Sequence, residues 1–352
     1  MSEDLRFGII GAGMIAEYHA QAMRAVPGVR PEGVFGVIPE QMEAFARKHQ
    51  IKAYPSLEAM LADPGINAVS IATPSGHHGE NSLAAARAGK HVMCEKPLEI
   101  TPARAQDIID ACRTAGVILA PVFQYRYGEG AKLIREALAA GRFGRVLLSS
   151  ARVKWFRPQS YYDSGAWRGT WELDGGGCLM NQSIHAIDLM IHFGGVPSEV
   201  YGAVATLTHK IEVEDNAVAL VKFADGVAGT IESSTSCEPG FPPEVQVSGE
   251  KGTATLAGDR LVGWNFGDRH PLDGRVATLS TGMGDGGKDP KAISITGHIQ
   301  VIEGLLGAVR GDRSGLVDPL EARYPLDVIC GIYESARLGR PVPLPWQGLA
   351  QK

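Results

Sequence analysis

The sequence has no apolar run approaching the roughly 18 residues that a membrane-spanning helix needs, and it has no run of like charges. The first absence argues against a membrane span, and the second argues against a polybasic membrane-binding patch. The net charge of -5 argues against a nucleic-acid surface. The N-terminus, MSEDLRFGIIGAG, is acidic and passes directly into a strand pattern, which is unlike a secretory signal.

Cysteine is scarce and badly placed for pairing. The five cysteines are an odd number, contain no CxxC pair and are scattered over the chain at Cys94, Cys112, Cys178, Cys237 and Cys330. This excludes a disulfide framework and a cysteine-based zinc site. The ten histidines show no recurring ligand spacing, so the sequence predicts no metal site. We expect reduced thiols in a cytoplasmic protein.

The pattern of apolar residues differs between the two parts of the 352-residue chain. The first 120 or so alternate short apolar runs with helical patterns, which predicts a parallel sheet with helices on both faces. After about residue 145, β-rich runs with glycine-containing turns predict a largely antiparallel sheet, with helices at 128–141, 179–193, 297–310 and 325–338. The expected fold is an α/β domain over 1–124 followed by an α+β domain over 125–352.

A glycine loop joins the first strand to the first helix. FGIIGAGMIA places Gly11, Gly13 and Ala16 in a GxGxxA arrangement. The first glycine permits a tight turn, the second lets the backbone approach a pyrophosphate, and the small third residue lets the helix pack on the strand. The helix N-terminus then favours the phosphates. The motif predicts a dinucleotide site rather than a merely structural turn.

The sequence lacks the acidic residue that is expected to bind the adenosine ribose. An acidic side chain is expected at the end of the second strand, where it would bind the ribose hydroxyls, but Gly36 stands there in VFGVIPE. No Arg or Lys follows at once to attract a 2′-phosphate. The choice between NAD and NADP therefore stays open.

The stretch GGGCLMNQSIHAID, residues 175–188, places Asn181, His185 and Asp188 at helical spacing. It supports two interpretations: Asn181 and His185 form a catalytic pair, or they are polar residues that tie down a helix. A second candidate is Lys96, in Glu95-Lys96-Pro97 at the end of a predicted strand. Its ammonium group could stabilise a developing alkoxide, and the alternative is a surface lysine that caps the strand.

Together these segments resemble the Gfo/Idh/MocA family of dehydrogenases. The resemblance runs through GIIGAGMIA, INAVSIATPSGHH, GKHVMCEKPL, QYRY, GRFGRV, GGGCLMNQSIHAIDLM and EARYPLDVICGIYESARLGRPVPLP. It implies a Rossmann domain, a C-terminal open sheet that forms the oligomer interface of a homodimer or homotetramer, and a nicotinamide cofactor, with a slight preference for NAD.

The resemblance also implies the catalytic residues. Lys96 corresponds to the lysine of the EKP motif, and His185 corresponds to the histidine of the glycine-led helix. The family usually has an aspartate four residues before that histidine, and Asn181 takes its place here. An aspartate would raise the pKa of the histidine, whereas an amide can only orient it or the substrate.

Further contacts follow from the resemblance by position. The expected cofactor-binding residues are Gly11, Gly13, Met14, Ile15, Thr73, Pro74, Ser75, His78, Glu95, Lys96, Gln124, Trp167 and Arg168. The expected substrate-binding residues are Lys96, Arg126, Tyr162, Asn181 and His185. An aromatic cluster of Trp155, Tyr161, Tyr162 and Trp167 suits stacking on a sugar ring, and part of it suits core packing equally well.

The implied activity is hydride transfer between a nicotinamide and a secondary hydroxyl or ketone of a sugar, sugar derivative or inositol. His185 would act as general base and Lys96 would steady the oxygen, although Lys96 could itself be the base. Two alternatives remain: an enzyme that uses bound NAD transiently to cleave or eliminate, and a non-catalytic sugar sensor. Each predicts a small-molecule partner.

Overall fold

The computed structural model describes residues 4–279 and 294–346. The chain forms two compact units, residues 1–124 with 295–323, and residues 125–294 with 324–352. The sequence predicts a boundary after residue 124 with 295–323 in the second domain, whereas the structure joins this segment to the first unit. Its helix, Thr296–Val309, packs against the first helix of the chain. An apolar helical pattern shows that a face is buried, but it does not show which domain covers it.

The first unit contains a six-stranded sheet in the order β3-β2-β1-β4-β5-β6, with every pair parallel. The strands are β1 Leu5–Ile10, β2 Val29–Phe35, β3 Lys52–Ala53, β4 Ala68–Ile71, β5 His91–Cys94 and β6 Leu119–Pro121. The neighbours of β1 are β2 and β4, so the chain leaves β1 toward one side and later returns on the other. Such a switch point opens a crevice at the carboxyl ends of the strands.

Helices connect these strands, as the alternating sequence pattern predicts. They are α1 Met14–Ala25, α2 Pro39–His49, α3 Leu57–Leu61, α4 His78–Arg87, α5 Pro102–Ala115 and the later α10 Thr296–Val309, with a 3₁₀ turn at Ser75–His77. The Thr101 hydroxyl caps α5 by accepting from the Arg104 N–H, and Pro102 occupies the first turn.

The second unit contains an eight-stranded sheet in the order β13-β12-β11-β7-β10-β9-β8-β14. Only the β7–β10 pair is parallel, so the predicted, largely antiparallel sheet is confirmed. The strands are β7 Val146–Lys154, β8 Pro197–Ala205, β9 Asn216–Phe223, β10 Ala228–Ser234, β11 Glu244–Gly249, β12 Gly252–Ala257, β13 Arg260–Phe266 and β14 Val342–Pro343. The strands β3, β6, β13 and β14 are not evident from the sequence pattern; they are short or lie at a sheet edge.

The helices of the second unit include α6 Glu129–Ala139, α7 Gln159–Asp163, α8 Ile184–Gly194 and α9 Asp273–Val276. A 3₁₀ turn spans Gln124–Tyr127, a π-helical turn spans Cys178–Ser183, and α11 spans Pro319–Leu338. The α8 helix packs against β7 and β11, where the Ser149 hydroxyl donates to the Met190 carbonyl (2.8 Å). Among the helices of residues 4–279 and 294–346, none has the length and hydropathy needed to cross a bilayer.

Candidate functional site

The glycine loop lies at the carboxyl end of β1. Gly11 has a φ of +104°, and a Cβ there would lie 2.5 Å from the Ala72 carbonyl oxygen, so the turn requires glycine. Gly13 is the N-cap of α1 and makes no side-chain cap, and the space where its Cβ would stand is open to 4 Å. An uncapped helix start beside open space fits the pyrophosphate of a dinucleotide.

The other predicted cofactor residues of this unit lie along the same sheet edge. Met14 and Ile15 begin α1, and Thr73, Pro74 and Ser75 follow β4. The Thr73 hydroxyl is buried and has no hydrogen-bond partner within the described ranges. A buried hydroxyl in that state is costly unless a ligand satisfies it. This orphaned group also fits a dinucleotide.

Gly36 follows the end of β2, as predicted. A Cβ at this position would stand 3.5 Å from the Met42 Cβ and 3.6 Å from the Ala12 Cβ, which are ordinary contacts. A side chain is therefore sterically tolerated, and nothing in the local packing demands glycine. The structure leaves the choice between NAD and NADP where the sequence left it.

The Glu95-Lys96-Pro97 turn follows β5, next to the loop after β4. Lys96 is partly exposed, whereas Glu95 is buried and its Oε2 accepts from the Lys96 N–H (3.1 Å). His78 is buried, with Nδ1 at 2.8 Å from the Pro97 carbonyl and Nε2 at 3.0 Å from the Thr73 carbonyl. His78 therefore joins the loop after β4 to the loop after β5 through its two ring nitrogens. This role differs from the dinucleotide contact expected from the sequence.

Glu95 also contacts two histidines that sequence reasoning missed. Its Oε1 lies 2.9 Å from His19 Nε2 and 3.4 Å from His298 Nε2. Burial alone would raise the pKa of the Glu95 carboxyl, but the hydrogen bonds from these histidines hold it well below its usual range. The three potential ligand atoms lie within 4.8 Å of one another. The structure thus assembles a metal-compatible set that no spacing in the sequence revealed, because its members come from three distant segments.

In the second unit, a glycine turn leads into the predicted catalytic helix. A Cβ on Gly177 would stand 1.8 Å from the Glu214 carbonyl oxygen, so the close approach requires glycine. The Glu214 carboxylate accepts from the Gly177 N–H (2.9 Å), the Leu179 N–H (2.9 Å) and the Tyr333 hydroxyl (3.0 Å). The helix then begins as one π-helical turn before α8, a geometry frequent at functional sites.

Removing the Glu214 charge is expected to change the pH dependence of stability. Burial raises the pKa of this carboxyl to about 7, against its hydrogen bonds, which lower it. A folded-state pKa above the unfolded value means that stability present at low pH is lost as pH rises through about 7. We therefore expect the thermal midpoint of Glu214→Gln to gain a few degrees relative to wild type between about pH 5 and pH 8. Thermal melts with Glu80→Gln as an exposed charge-removal control test this, and a constant difference across pH would contradict it.

Asn181 is held by a carboxylate that the sequence analysis did not identify. Its Nδ2 donates to Asp174 Oδ1 (2.7 Å), and Asp174 Oδ2 accepts from the Gly169 N–H (2.9 Å). Asp174 is buried. The neutral amide thus stands beside a carboxylate, so negative charge lies seven residues before Asn181 in the chain instead of at position 181 itself.

His185 packs edge-on against the Tyr125 ring, with centroids 4.7 Å apart. It lines a pocket within the second unit together with Tyr125, Trp155, Gln182, Ala186, Leu189, Pro243, Val245 and Gly258. The Trp155 indole N–H is buried and has no hydrogen-bond partner in the part of the chain that the structure describes. The lining of the pocket therefore combines a histidine and an unsatisfied indole donor with apolar side chains.

Two predicted substrate residues are engaged elsewhere. The Arg126 guanidinium forms a buried, two-point ion pair with Asp188, with Nε to Oδ2 at 2.8 Å and Nη2 to Oδ1 at 2.7 Å. Tyr162 is buried, and its hydroxyl bonds to Thr235 Oγ1 (2.8 Å). Packing therefore explains both residues without a substrate. The same ion pair gives Asp188, which stands three residues after His185 on the helix, a structural role.

The neighbouring Tyr161 is better placed than Tyr162 to contact a ligand. Its hydroxyl accepts from Arg168 Nη1 (2.7 Å) and from Gln182 Nε2 (2.9 Å). The Arg168 guanidinium also lies over the Trp167 ring at 4.4 Å. Trp167 and Arg168, both predicted to bind cofactor, thus form one half-buried cluster with Tyr161. The remaining predicted residue, Gln124, is buried, and its Oε1 has no partner among residues 4–279 and 294–346.

A parallel sheet in this strand order, with a glycine loop at its switch point, defines a dinucleotide-binding protein. Residues 5–123 match the family model described as "Oxidoreductase family, NAD-binding Rossmann fold", and residues 131–255 match the "GFO/IDH/MocA C-terminal domain". The chain belongs to the Gfo/Idh/MocA family of nicotinamide-dependent oxidoreductases, which confirms the resemblance seen in the sequence.

Characterised relatives support the same class. The chain is 32% identical to 1,5-anhydro-D-fructose reductase of Ensifer adhaerens over 80% of this chain and 81% of the relative. It is 27% identical to D-glucoside 3-dehydrogenase of Escherichia coli over 97% of this chain and 98% of the relative. The WlbA dehydrogenase of Bordetella pertussis, solved with NADH and UDP-GlcNAcA, matches with a TM-score of 0.87 and 33% identity over 98% of this chain and 100% of that chain.

Proposed function

We propose that this enzyme transfers hydride between a nicotinamide cofactor and a secondary hydroxyl or ketone of a sugar, through Lys96 and His185. The observation that carries the proposal is the placement of three segments at one sheet edge. The glycine loop, the Thr73–Ser75 loop and the EKP turn follow β1, β4 and β5, which are adjacent in the sheet. This arrangement provides phosphate, ribose and reactive-end contacts for one dinucleotide.

Each residue has a role that its own chemistry supports. The bound nicotinamide supplies the hydride acceptor or donor. Lys96 offers an ammonium group that stabilises negative charge on the substrate oxygen, and the His185 imidazole takes or returns the hydroxyl proton. Asn181, fixed by Asp174, orients a neighbouring group. The proposal keeps Lys96 as an alternative base.

The substrate that we propose to test first is a nucleotide sugar. The similarity to WlbA, which was solved with UDP-GlcNAcA, extends over nearly the whole of both chains. The cluster of Arg168, Trp167 and Tyr161 offers a guanidinium group and two rings, which suit the charged and flat parts of such a ligand.

A cofactor and substrate screen tests the proposal. The purified protein is mixed with NAD⁺ or NADP⁺ and a panel of UDP-sugars, glycosides, free sugars and inositols, and absorbance of reduced nicotinamide is recorded. We expect turnover with one substrate class, lost in His185→Ala. Sugar binding in calorimetry without turnover in either direction would contradict the proposal and favour a sensor.

We further propose that the outer face of the second sheet mediates self-association. Leu148, Val218, Leu220 and Tyr201 are 53%, 56%, 58% and 46% exposed on β7, β9 and β8. Tyr201 pairs with Leu220 across β8 and β9, so their side chains share a face. An exposed apolar patch of this kind marks an interface.

Charge on this patch is expected to break the oligomer. Leu220→Lys should convert a dimer or tetramer to monomer, because an unpaired ammonium group is costly in an apolar interface. Light scattering coupled to gel filtration measures the mass. Leu207→Lys, at a loop residue that is 74% exposed, is the matched control. A monomeric wild-type protein, or an unchanged mass in Leu220→Lys, would contradict this proposal.

The cysteines support the proposed cytoplasmic location. All five are free thiols in the structure, and four of them are buried. This is the pattern expected in a reducing compartment.

A further inference from the structure

A buried polar network lies directly behind the turn that carries Lys96. His19, Glu95 and His298 are 0%, 6% and 1% exposed and come from α1, the end of β5 and α10. Burying a carboxylate costs free energy that apolar packing does not. A position that only needed filling would be cheaper with apolar residues, so the network calls for another explanation.

The hydrogen bonds define a continuous path to the Lys96 backbone. The Ser70 hydroxyl lies 2.6 Å from His19 Nδ1. If this hydroxyl donates, His19 is neutral and its Nε2–H donates to Glu95 Oε1 (2.9 Å). Burial lowers the pKa of His19, against its hydrogen bond with Glu95, which agrees with the neutral form. The second carboxylate oxygen accepts from the Lys96 N–H (3.1 Å).

His298 completes the network from a segment distant in sequence. Its Nε2 lies 3.4 Å from the same Glu95 oxygen, and its ring centroid is 5.0 Å from that of His19. On the far side of Lys96, His78 Nδ1 lies 2.8 Å from the Pro97 carbonyl. Buried histidines therefore contact both residues that flank Lys96.

We propose that His19 and His298 are positioning residues for Lys96, acting through the Glu95 carboxylate. The inference rests on the proposed role of Lys96. A lysine side chain is long and flexible, so its ammonium group can be placed accurately only from a fixed backbone. The network supplies that fixed point, and it explains why 295–323 returns to the first unit: α10 brings His298 to the turn. Supporting contacts of this kind set the accuracy of a catalytic group.

Two substitutions at His298 separate positioning from packing. His298→Phe keeps a ring but removes the nitrogen that lies 3.4 Å from Glu95 Oε1, whereas His298→Gln keeps a polar nitrogen on the side chain. We expect His298→Phe to lower kcat about tenfold and His298→Gln to lower it about twofold, with KM changed less than about twofold in each. In a Lys96→Met background, His298→Phe should cause no further loss, because the two residues act as one unit.

Amide hydrogen exchange at Lys96 tests the network without turnover. We expect faster exchange in His298→Phe and near-wild-type exchange in His298→Gln, because only the first variant removes the polar contact from position 298 and leaves Glu95 Oε1 held by His19 alone. Equal kinetic losses in the wild-type and Lys96→Met backgrounds, or unchanged exchange, would overturn the proposal. Stoichiometric metal in the purified enzyme that is lost in His298→Phe would also overturn it, in favour of a metal site.

The two readouts distinguish failure of this inference from failure of the proposed function. If the wild-type enzyme transfers no hydride but exchange at Lys96 responds as expected, the anchoring network stands and the dehydrogenase role of Lys96 falls. If hydride transfer occurs and exchange does not respond, the dehydrogenase stands and the anchoring network falls.

Discussion

Replacing Lys96 by methionine is expected to lower kcat for hydride transfer by about 10³-fold. Methionine keeps most of the aliphatic stem but removes the ammonium group, so negative charge on the substrate oxygen loses its stabilising partner. Dinucleotide affinity should fall far less, since the proposed phosphate contacts are at the glycine loop around Gly11 and Gly13. Steady-state kinetics and fluorescence titration with reduced dinucleotide measure the two quantities.

Lys96→Arg is the matched control for this substitution. It keeps the positive charge but spreads it over a planar fork, so it should recover only part of the activity. A Lys96→Met enzyme within tenfold of wild-type kcat would show that Lys96 is the strand-capping lysine of the alternative interpretation. A loss of dinucleotide affinity as large as the loss of kcat would assign Lys96 to cofactor binding instead of catalysis.

Removing Asp188 is expected to destabilise the second unit strongly. Asp188→Ala leaves the Arg126 guanidinium buried without its two-point partner, and breaking such a pair costs about 3–5 kcal/mol of unfolding free energy. The side chains of Arg126 and Asp188 are 6% and 1% exposed, so water cannot readily replace the lost contacts. Denaturant unfolding followed by tryptophan fluorescence measures the loss, because Trp155, Trp167, Trp171 and Trp264 all lie in this unit.

A double substitution separates the ion pair from simple packing. Replacing both partners, with Asp188→Leu and Arg126→Met, removes the uncompensated charge and should recover much of the stability lost in Asp188→Ala. A loss below about 1 kcal/mol in Asp188→Ala would contradict a strong contribution of this buried ion pair to stability. Strong loss of sugar affinity in a stable Arg126→Met, Asp188→Leu double variant would restore the substrate role predicted from the sequence.

The glycine loop and the parallel sheet of the first unit were predictable because they depend on local signals. Gly11 must be glycine for its own turn, and alternating strand and helix patterns imply a wound parallel sheet. The partners of Glu95 were not predictable, since His19 and His298 reach it only through tertiary packing. The assignment of 295–323 failed for the same reason.

Side-chain direction set the second limit on prediction. Tyr161 and Tyr162 are adjacent in sequence, but Tyr162 is buried against Thr235 while Tyr161 bonds Arg168 and Gln182. The sequence alone does not show which of two adjacent tyrosines is buried. Asp174 was missed because it precedes the glycine turn and lies outside the helix that carries Asn181, so helical spacing does not relate the two residues.

Hydride transfer from the sugar to the nicotinamide can be followed with a deuterium label. A UDP-sugar substrate with deuterium on its ring carbons is incubated with oxidised dinucleotide and enzyme. The mass of the reduced dinucleotide is then measured by mass spectrometry. We predict that reduced dinucleotide forms, carries one deuterium from the sugar, and accumulates far more slowly when Lys96→Met or His185→Ala replaces the wild-type enzyme. Reduced dinucleotide without deuterium, or equal labelling by both variants, would contradict hydride transfer through Lys96 and His185.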